Sequence, residues 1–293
     1  MSTVQGDGHR TAIATPSLRP ADATPMRALP SDDGRERTAR LPSAERLRQE
    51  MCDVGRRMWT RGLCSGTEGN LSVRVGDDLV LCTPSGVSKG FLDPRSLRTL
   101  RLDGTDADPV PEWTITSEIR VHLAVYRARP DVRAVVHSHA PHANAFAMAN
   151  VPLAEGVYPE AEIVLGRVPV APYALPGTAA LAENVAGALT PNTTAMLLAH
   201  HGTLTLSACG LLDAYHRLEV LDSWCQILLG VARLGAVEVL GDAQMAGVLA
   251  LKRAGCGLGD DRASDGAASV DAHNSAAFAH WGRPPSVAKA STS

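Results

Sequence analysis

The sequence predicts an α/β protein in which helices cover a largely antiparallel sheet. Two kinds of segment predict this fold: short alternating strands joined by a tight turn, and amphipathic helices with apolar residues at spacings of three and four. The 293 residues are 45% hydrophobic, which is enough for one sizeable core. Strands joined by hairpins and interspersed with helices favour an antiparallel sheet over a doubly wound parallel one.

Both ends of the chain are predicted to lie outside this core. Residues 1–40 are rich in Pro, Thr, Asp and Arg without a helical or strand period, which is typical of a disordered arm. Residues 257–293 form a low-complexity tail of Gly, Ala, Ser and Asp, in which Phe278 and Trp281 are available to dock. The folded domain is therefore predicted to span residues 41–256.

The first helix is predicted to begin after Ser43, whose side chain suits an N-cap. Apolar residues then recur at spacings of four, three and four, at Leu47, Met51, Val54 and Met58. Because these spacings place the four side chains on one stripe, the helix is predicted to pack that stripe against the core.

A β-hairpin is predicted next. Residues 70–75 alternate polar and apolar side chains, and residues 79–83 resume an extended pattern. Between them stands Gly76-Asp77-Asp78, a typical turn sequence. The two runs are therefore expected to pair as neighbouring antiparallel strands.

A second helix is predicted from Thr116 or Ser117 to the residue before Pro130, since the residue preceding a proline disfavours helix. A strand is expected at residues 134–137. Further apolar patterns predict strands at residues 162–170 and 195–200, and helices at residues 178–189, 213–234 and 242–254.

Charge and cysteine content exclude several classes of partner. The formal net charge is −3 and the pI is about 6.4, so no basic surplus is present to attract nucleic acid or anionic lipid. The six cysteines include no C-x-x-C pair, and no apolar leader follows Met1, which favours a reduced cytoplasmic location. No apolar run approaches the roughly 18 residues of a membrane span.

Two histidines in the predicted strand at residues 134–137 and just beyond it are candidate metal ligands. His137 and His139 are two residues apart, so their side chains project to the same face of an extended chain. A metal site needs a third ligand, and either His200 or His201, which precede Gly202, is a candidate. Hydrogen-bonded core histidines are an equally good interpretation of that second pair taken alone.

Glu118 and two glycine-containing loops complete the polar candidates. Glu118 follows two hydroxyl residues at a predicted helix start, where free N–H groups favour anions; it also suits an ordinary helix-capping role. The loops at residues 65–70 and 83–87 are typical of backbone anion sites, although each also fits a plain turn.

Six motifs in one order carry a resemblance to a known family. They are Gly66-Thr-Glu-Gly-Asn-Leu-Ser72, Thr83-Pro-Ser-Gly86, Thr116-Ser-Glu118, His137-Ser-His139, Ala171-Pro-Tyr173 with Gly177-Thr178, and His200-His-Gly202. Together they resemble the class II aldolase and adducin family, and within it the L-fuculose-phosphate aldolases. The resemblance extends from about Leu47 to Cys256 and strengthens the metal interpretation.

The resemblance implies a three-layer α/β/α fold, a homotetramer with sites at subunit interfaces, and catalytic Zn²⁺, with another divalent metal as an alternative. The implied metal ligands are Glu118, His137, His139 and His201. Glu118 would also serve as acid and base. The residues implied to bind the substrate phosphate are Gly69, Asn70, Ser85, Gly86, Thr116 and Ser117.

The implied reaction is retro-aldol cleavage of a ketose 1-phosphate to dihydroxyacetone phosphate and an aldehyde. Such cleavage leaves an enediolate, which a divalent metal stabilises as a Lewis acid. Related 4-epimerases resemble this chain but typically carry aspartate where Glu118 stands, so glutamate favours the aldolases. A decarboxylase or dehydratase of a related sugar-acid phosphate, and a non-catalytic adducin-like interaction domain, are the alternatives.

Two features depart from the aldolase pattern. No tyrosine follows Tyr215, although the fuculose enzymes have a functional one near the C-terminus. Tyr158 stands about where the other active-site tyrosine of the family is expected, in a divergent loop. The remaining candidates are expected to have structural roles. Packing or hydrogen bonding is expected for His122, His142, His200 and His216. Lys89 and Arg95 are expected to be solvated surface charges, with attraction of the substrate phosphate as the alternative.

Overall fold

The computed structural model describes residues 43–109, 111–235, 237–256, 274 and 277. The described helices are α1 (Ala44–Thr60), α2 (Ile119–Ala128), α3 (Pro141–Ala149), α4 (Pro159–Val164), α5 (Ala179–Gly187), α6 (Leu211–Leu234) and α7 (Asp242–Cys256). The described strands are β1 (Asn70–Arg74), β2 (Leu79–Cys82), β3 (Arg98–Arg101), β4 (Ala134–Ser138), β5 (Val170–Ala171), β6 (Ala195–Leu198) and β7 (Gly202–Ser207). None of the described helices is both long and apolar enough to cross a membrane.

The seven strands form one sheet in the order β3-β2-β1-β4-β7-β6-β5. Every neighbouring pair is antiparallel except β5 and β6, which are parallel. The predicted α/β fold with a largely antiparallel sheet is therefore confirmed. Strands β1, β4 and β7 occupy the centre of the sheet, and they carry or adjoin most of the candidate site residues.

Helices cover both faces of the sheet, which gives three layers. On one face, buried residues of α1, α3, α4 and α6 pack with the sheet in a large cluster that includes Met51 and Leu218. On the other face, a smaller cluster joins α2 and α5 to the sheet through residues such as Val125 and Leu181. A strand alternates its side chains between the faces, so β4 contributes Val136 to the first cluster and Val135 to the second.

Local sequence accounts for the helix boundaries. The Ser43 side chain accepts a hydrogen bond from the Arg46 amide at 3.3 Å, and Thr178 accepts one from Leu181 at 3.4 Å, so both act as N-caps. The predicted stripe of α1, from Leu47 to Met58, is buried as expected. The predicted first helix, hairpin and strand at residues 134–137 are therefore confirmed.

The predicted strand at residues 162–170 is wrong. Residues up to Val164 belong to α4, and only Val170 in that range is in a strand. Pro159 at the first turn and two glutamates there, Glu160 and Glu162, favour a helix start more than the apolar residues favour a strand. Strands β3 and β7 and helix α3 were not predicted.

The two chain ends lie mostly outside the described residues, as do Phe278 and Trp281. Two residues of the predicted tail are described, and both are helical and buried. The Asn274 side chain donates to the Glu155 carbonyl at 2.9 Å and accepts from the Glu155 amide at 2.8 Å, and Ala277 joins the larger cluster. At these two positions the chain packs against the core instead of lying loose.

Candidate metal centre and active site

Three neighbouring strands bring the metal candidates together. His137 lies in β4, directly opposite Asn70 of β1 and Leu204 of β7. His139 follows the end of β4, and His201 immediately precedes β7. One ligand atom from each of the three histidines lies within 4.8 Å of the others, so the group could hold a metal ion. His201, not His200, is the third member.

The outer nitrogens of two imidazoles are already used as donors. His137 Nδ1 lies 2.9 Å from the Thr203 carbonyl oxygen, and His139 Nδ1 lies 3.1 Å from Glu68 Oε2. Because both partners can only accept, each Nδ1 carries the proton, and in a neutral ring the lone pair then lies at Nε2. Those two Nε2 atoms face one another at 3.1 Å, so an attractive arrangement needs a positive charge between them.

A metal cation would supply that charge. Burial, with the neighbouring His137, lowers the pKa of His139 to about 4, so its imidazole is neutral at pH 7. Neutral imidazole is the form that binds metals. Hydrogen bonding of the outer nitrogens to a carbonyl and a carboxylate is also the usual arrangement around metal-bound histidines.

Two backbone features allow the three rings to approach. A Cβ on Gly202 would lie 2.8 Å from His139 Cδ2, 2.8 Å from the Ser138 carbonyl oxygen and 3.0 Å from His137 Cε1. Only glycine fits there without displacing a neighbour. His200 adopts a positive φ of 54°, and its ring contacts Tyr173 instead of the other three histidines.

Glu118 completes the group. Its Oε2 lies 3.0 Å from His137 Nε2, and its Oε1 lies 2.8 Å from His201 Nε2. Burial opposes the charged form, but hydrogen bonds and charge from these two histidines hold the pKa of the Glu118 carboxyl well below its usual range. Although Glu118 is the N-cap residue of α2, its side chain makes no capping hydrogen bond. The carboxylate therefore faces the histidines.

The predicted phosphate-binding segments lie side by side. The Thr83 amide donates to the Leu71 carbonyl at 3.0 Å, and the Leu71 amide donates to Thr83 Oγ1 at 3.1 Å. Farther along, the Ser85 amide donates to the Thr114 carbonyl at 2.8 Å. These bonds join β1, the loop after β2 and the segment before α2.

The six predicted phosphate-binding residues occupy different environments. Gly69, Asn70 and Thr116 are buried or nearly so, whereas Ser85, Gly86 and Ser117 are more open to solvent. Gly69 and Gly86 both have positive φ, which turns the backbone in ways that favour glycine. The Asn70 side chain is already engaged, because its Nδ2 donates to Glu118 Oε2 at 2.9 Å.

Lys89 was predicted to be a solvated surface charge, and that prediction is wrong. Its side chain is buried, with 1% of the residue exposed. The ammonium group donates to the Thr67 carbonyl at 3.0 Å and also to the Val87 carbonyl. Burial lowers the pKa of Lys89. Lys89 thus links the loop before β1 to the loop after β2, whereas Arg95 is exposed and pairs with Asp93 at 2.6 Å.

Tyr158 is not brought to the three histidines. Its hydroxyl donates to Glu160 Oε2 at 2.8 Å, and its ring stacks on Trp224 with a centroid separation of 5.3 Å. Among the other histidines, His142 Nδ1 pairs with Asp222 Oδ2 at 2.8 Å, and His122 is fully buried in a hydrogen-bonded chain. Those contacts agree with the hydrogen-bonding roles expected for these two.

Three residues of the site were missed by sequence reasoning. Glu68 contacts His139, Lys89 joins two loops, and His122 contacts Asn70. His122 is four residues after Glu118 on the same helix, which places both side chains on one face and is a signal that could have found it. Glu68 lies within the Gly66-Thr-Glu-Gly-Asn-Leu-Ser72 motif, which could have marked it, whereas nothing in the sequence marks Lys89, because its partners are backbone carbonyls.

The sequence matches the model of a known protein family. Residues 49–229, more than half of the chain, match the class II aldolase and adducin N-terminal domain. The chain belongs to this family. The predicted membership is therefore confirmed, and the three-histidine group lies within the matched part of this class II aldolase family member.

Relatives in the family carry out more than one reaction. L-fuculose phosphate aldolase of Escherichia coli O157:H7 is 36% identical over 212 residues, which cover 70% of this chain and 93% of that protein. The 3-oxo-tetronate 4-phosphate decarboxylase of Pectobacterium atrosepticum is 32% identical over 198 residues, covering 65% of this chain and 87% of that protein. The solved L-fuculose-1-phosphate aldolase of Thermus thermophilus superposes with a TM-score of 0.57 at 34% identity, covering 67% of this chain and 99% of that one.

Proposed function

We propose that this protein is a lyase that cleaves a ketose 1-phosphate by a retro-aldol reaction into dihydroxyacetone phosphate and an aldehyde. The observation that carries the proposal is the convergence of three imidazoles, two of which contact the Glu118 carboxylate, beside loops suited to phosphate. His137, His139 and His201 would hold a divalent metal, with zinc as the expected ion, and Glu118 would complete its coordination before substrate binds. Both the aldolase relatives and the donor set support this assignment.

The metal would supply Lewis-acid stabilisation of the negative charge that develops on the substrate oxygens when the carbon–carbon bond opens. Glu118 would move the protons. Its carboxylate takes up the proton that the departing aldehyde carbon's hydroxyl loses, and a proton then returns to the enediolate carbon to give dihydroxyacetone phosphate. The position of Glu118 between His137 and His201 supports this role, because it places the carboxylate at the metal candidate.

Phosphate binding would fix the substrate in the geometry needed for cleavage. The proposed contacts come from backbone amides and hydroxyls of the three neighbouring segments, at Gly69, Asn70, Ser85, Gly86, Thr116 and Ser117. The Asn70 side chain is committed to Glu118, so its contribution to phosphate would come from its backbone or from rearrangement. Placing a phosphate here sets the reacting carbons near the histidines, since Asn70 lies opposite His137 in the sheet.

Decarboxylation of a related sugar-acid phosphate is the second candidate reaction. The similarity to a 3-oxo-tetronate 4-phosphate decarboxylase favours it. The same charge stabilisation serves both reactions, because loss of carbon dioxide from a 3-oxo acid also leaves an enediolate-type anion. We keep 4-epimerisation as a third reaction on the same site. We also propose a homotetramer with active sites at its subunit interfaces and a catalytic role for Tyr158.

The test is the release of dihydroxyacetone phosphate from L-fuculose 1-phosphate and 5-deoxypentulose 1-phosphates, followed with a coupled dehydrogenase. Protein loaded with zinc is compared with chelated protein and with Glu118→Gln. Release that requires metal and Glu118 supports the aldolase. No release, but carbon dioxide from 3-oxo-tetronate 4-phosphate, would assign the chain to the decarboxylases instead. Absence of both activities and of bound metal would favour an interaction domain.

A further inference from the structure

A buried chain of hydrogen bonds ends at Glu118. Tyr126 Oη lies 2.9 Å from Ser72 Oγ, and Ser72 Oγ lies 2.6 Å from His122 Nδ1. On its other side, His122 Nε2 lies 2.5 Å from Asn70 Oδ1, and Asn70 Nδ2 lies 2.9 Å from Glu118 Oε2. The four residues behind Glu118 are each at most 3% exposed, so water does not compete for these bonds.

The chemistry of the groups fixes the direction of every donor. The Glu118 carboxylate accepts, so Asn70 must present its NH₂ group to it and its carbonyl oxygen to His122. His122 must therefore donate from Nε2, which leaves Nδ1 as an acceptor for the Ser72 hydroxyl. Ser72 in turn accepts from Tyr126. All donors point the same way, and such chains strengthen one another in a low-dielectric interior.

The neutral state of His122 is part of this arrangement. Burial is the main reason that the pKa of His122 falls to about 3, with a further lowering from the nearby His137. A charged imidazole would donate from both nitrogens and force the Ser72 hydroxyl to turn away. The lowered pKa of His122 therefore agrees with the neutral, Nε2-protonated ring that the hydrogen bonds to Asn70 and Glu118 require.

We propose that His122 is a positioning residue that holds the Asn70 amide in one orientation and, through it, aims the Glu118 carboxylate. Without the His122 donor, the Asn70 amide is free to rotate and present its oxygen to a carboxylate, which would push Glu118 out of line. This inference rests on the proposed role of Glu118 in proton transfer. His122 itself touches neither the substrate nor the metal ligands.

The kinetic test uses three variants of the full chain. His122→Leu removes both ring nitrogens, and Ser72→Ala, a smaller change, removes the hydroxyl that donates to His122 Nδ1 and accepts from Tyr126. We expect kcat to fall more than tenfold in the first and several-fold in the second. KM, zinc content and inhibition by inorganic phosphate are expected to stay within about twofold. The matched control is His142→Gln, which removes a hydrogen-bonded histidine that is not part of the series of hydrogen bonds from Tyr126 to Glu118.

A double-mutant cycle separates positioning from general structural support. If His122 acts only through Asn70, then His122→Leu added to Asn70→Ala should lower kcat no further. An unrelated structural defect would instead lower the kcat of Asn70→Ala again. Unchanged kcat in both His122→Leu and Ser72→Ala, additive losses in the cycle, or a parallel loss of zinc would each overturn the proposal.

A second measurement does not depend on turnover. Nitrogen-15 NMR of the ring is expected to show His122 as the neutral Nε2–H tautomer throughout pH 5 to 8. It should lose that single tautomer in Asn70→Ala. A protonated Nδ1 or a charged ring would overturn the inference even if the enzyme is an aldolase. If the wild-type chain cleaves no sugar phosphate but shows the expected tautomer, the proposed function fails while the positioning of Glu118 stands.

Discussion

His137 Nε2 lies 3.1 Å from His139 Nε2, while the Nδ1 atom of each ring is committed to an oxygen elsewhere. When both rings are neutral, two lone pairs face each other across this distance, which is unfavourable without a cation. Each predicted effect of changing this centre follows from that relationship. Removing one imidazole, moving one ring and removing the adjacent carboxylate are expected to change different quantities: zinc content, zinc affinity and kcat.

The adjacent histidines allow a matched test of the third ligand. His201→Asn is expected to lower zinc content and activity together, because two imidazoles remain where three converge. His200→Asn should leave both near wild type, since Asn tolerates the positive φ of His200. Metal content is measured by atomic emission after dialysis. Equal zinc loss in both variants would contradict the assignment of His201.

Glu118→Gln tests the carboxylate. The amide keeps the size of the side chain but can neither take up a proton nor carry charge, so kcat is expected to fall by about 10² to 10⁴. Zinc content should remain above half of the wild-type value, because the three histidines are intact. Inhibition by inorganic phosphate should also be retained. Near-normal turnover would remove Glu118 from the chemistry.

Gly202→Ala tests the close approach of the rings. Its Cβ would stand 2.8 Å from His139 Cδ2, so the ring must move and zinc affinity is expected to fall by at least tenfold. Gly187→Ala is the control, because a Cβ there meets nothing within 4 Å. Competition with a fluorescent zinc chelator measures the affinity. Wild-type affinity in Gly202→Ala would show that the rings tolerate displacement.

Lys89→Met tests the buried link between two loops. The Thr67 and Val87 carbonyl oxygens would lose their donor, which costs about 1–3 kcal/mol of unfolding free energy. Because both loops belong to the proposed phosphate site, KM is also expected to rise more than kcat falls. Arg95→Met removes an exposed cation and is expected to leave the urea midpoint close to that of the wild type. Urea unfolding and steady-state kinetics give the two readouts.

Stability is expected to fall in acid because of His122. Its folded-state pKa of about 3 is below the ordinary value of 6.5, so the unfolded chain binds more protons between these limits. The free energy of unfolding should therefore decrease as pH drops below 6.5, by about 2 kcal/mol at pH 5. His139, with a pKa of about 4, adds to this slope in metal-free protein. Urea titrations at pH 7 and pH 5 should show a flatter pH dependence of the free energy of unfolding in His122→Leu than in the wild-type chain.

The sequence predicted the elements whose patterns are local. Helix α1 carries a clear stripe, and the β1–β2 turn carries its own residues. Helix α3 was missed because it is apolar on most sides. Strand β7 was missed because it begins at Gly202, directly after the paired histidines, so its alternating Gly-Thr-Leu-Thr-Leu-Ser pattern was not separated from the strand before them. The false strand at residues 162–170 shows that capping signals at Pro159 outweigh a short apolar run.

Some residues of the candidate site could be predicted from the sequence and others could not. The three histidines could be selected because strand periodicity and an ordered set of motifs point to them. The contacts of Glu68, Lys89 and the Asn70 amide could not, since each depends on which loops meet in three dimensions. A buried lysine whose partners are backbone carbonyls leaves no complementary residue in the sequence to reveal it.

The central strands have a consequence for how the protein matures. The histidines come from segments more than 60 residues apart, and β1, β4 and β7 must pair before their side chains meet. A chain still emerging from the ribosome cannot capture the ion until β7 has been made. Binding of the proposed metal would then favour the completed sheet, and free ion at about 100 times its dissociation constant would add about 2.7 kcal/mol to the free energy of unfolding. Loss of that metal would thereby lower the protein's stability as well as its activity.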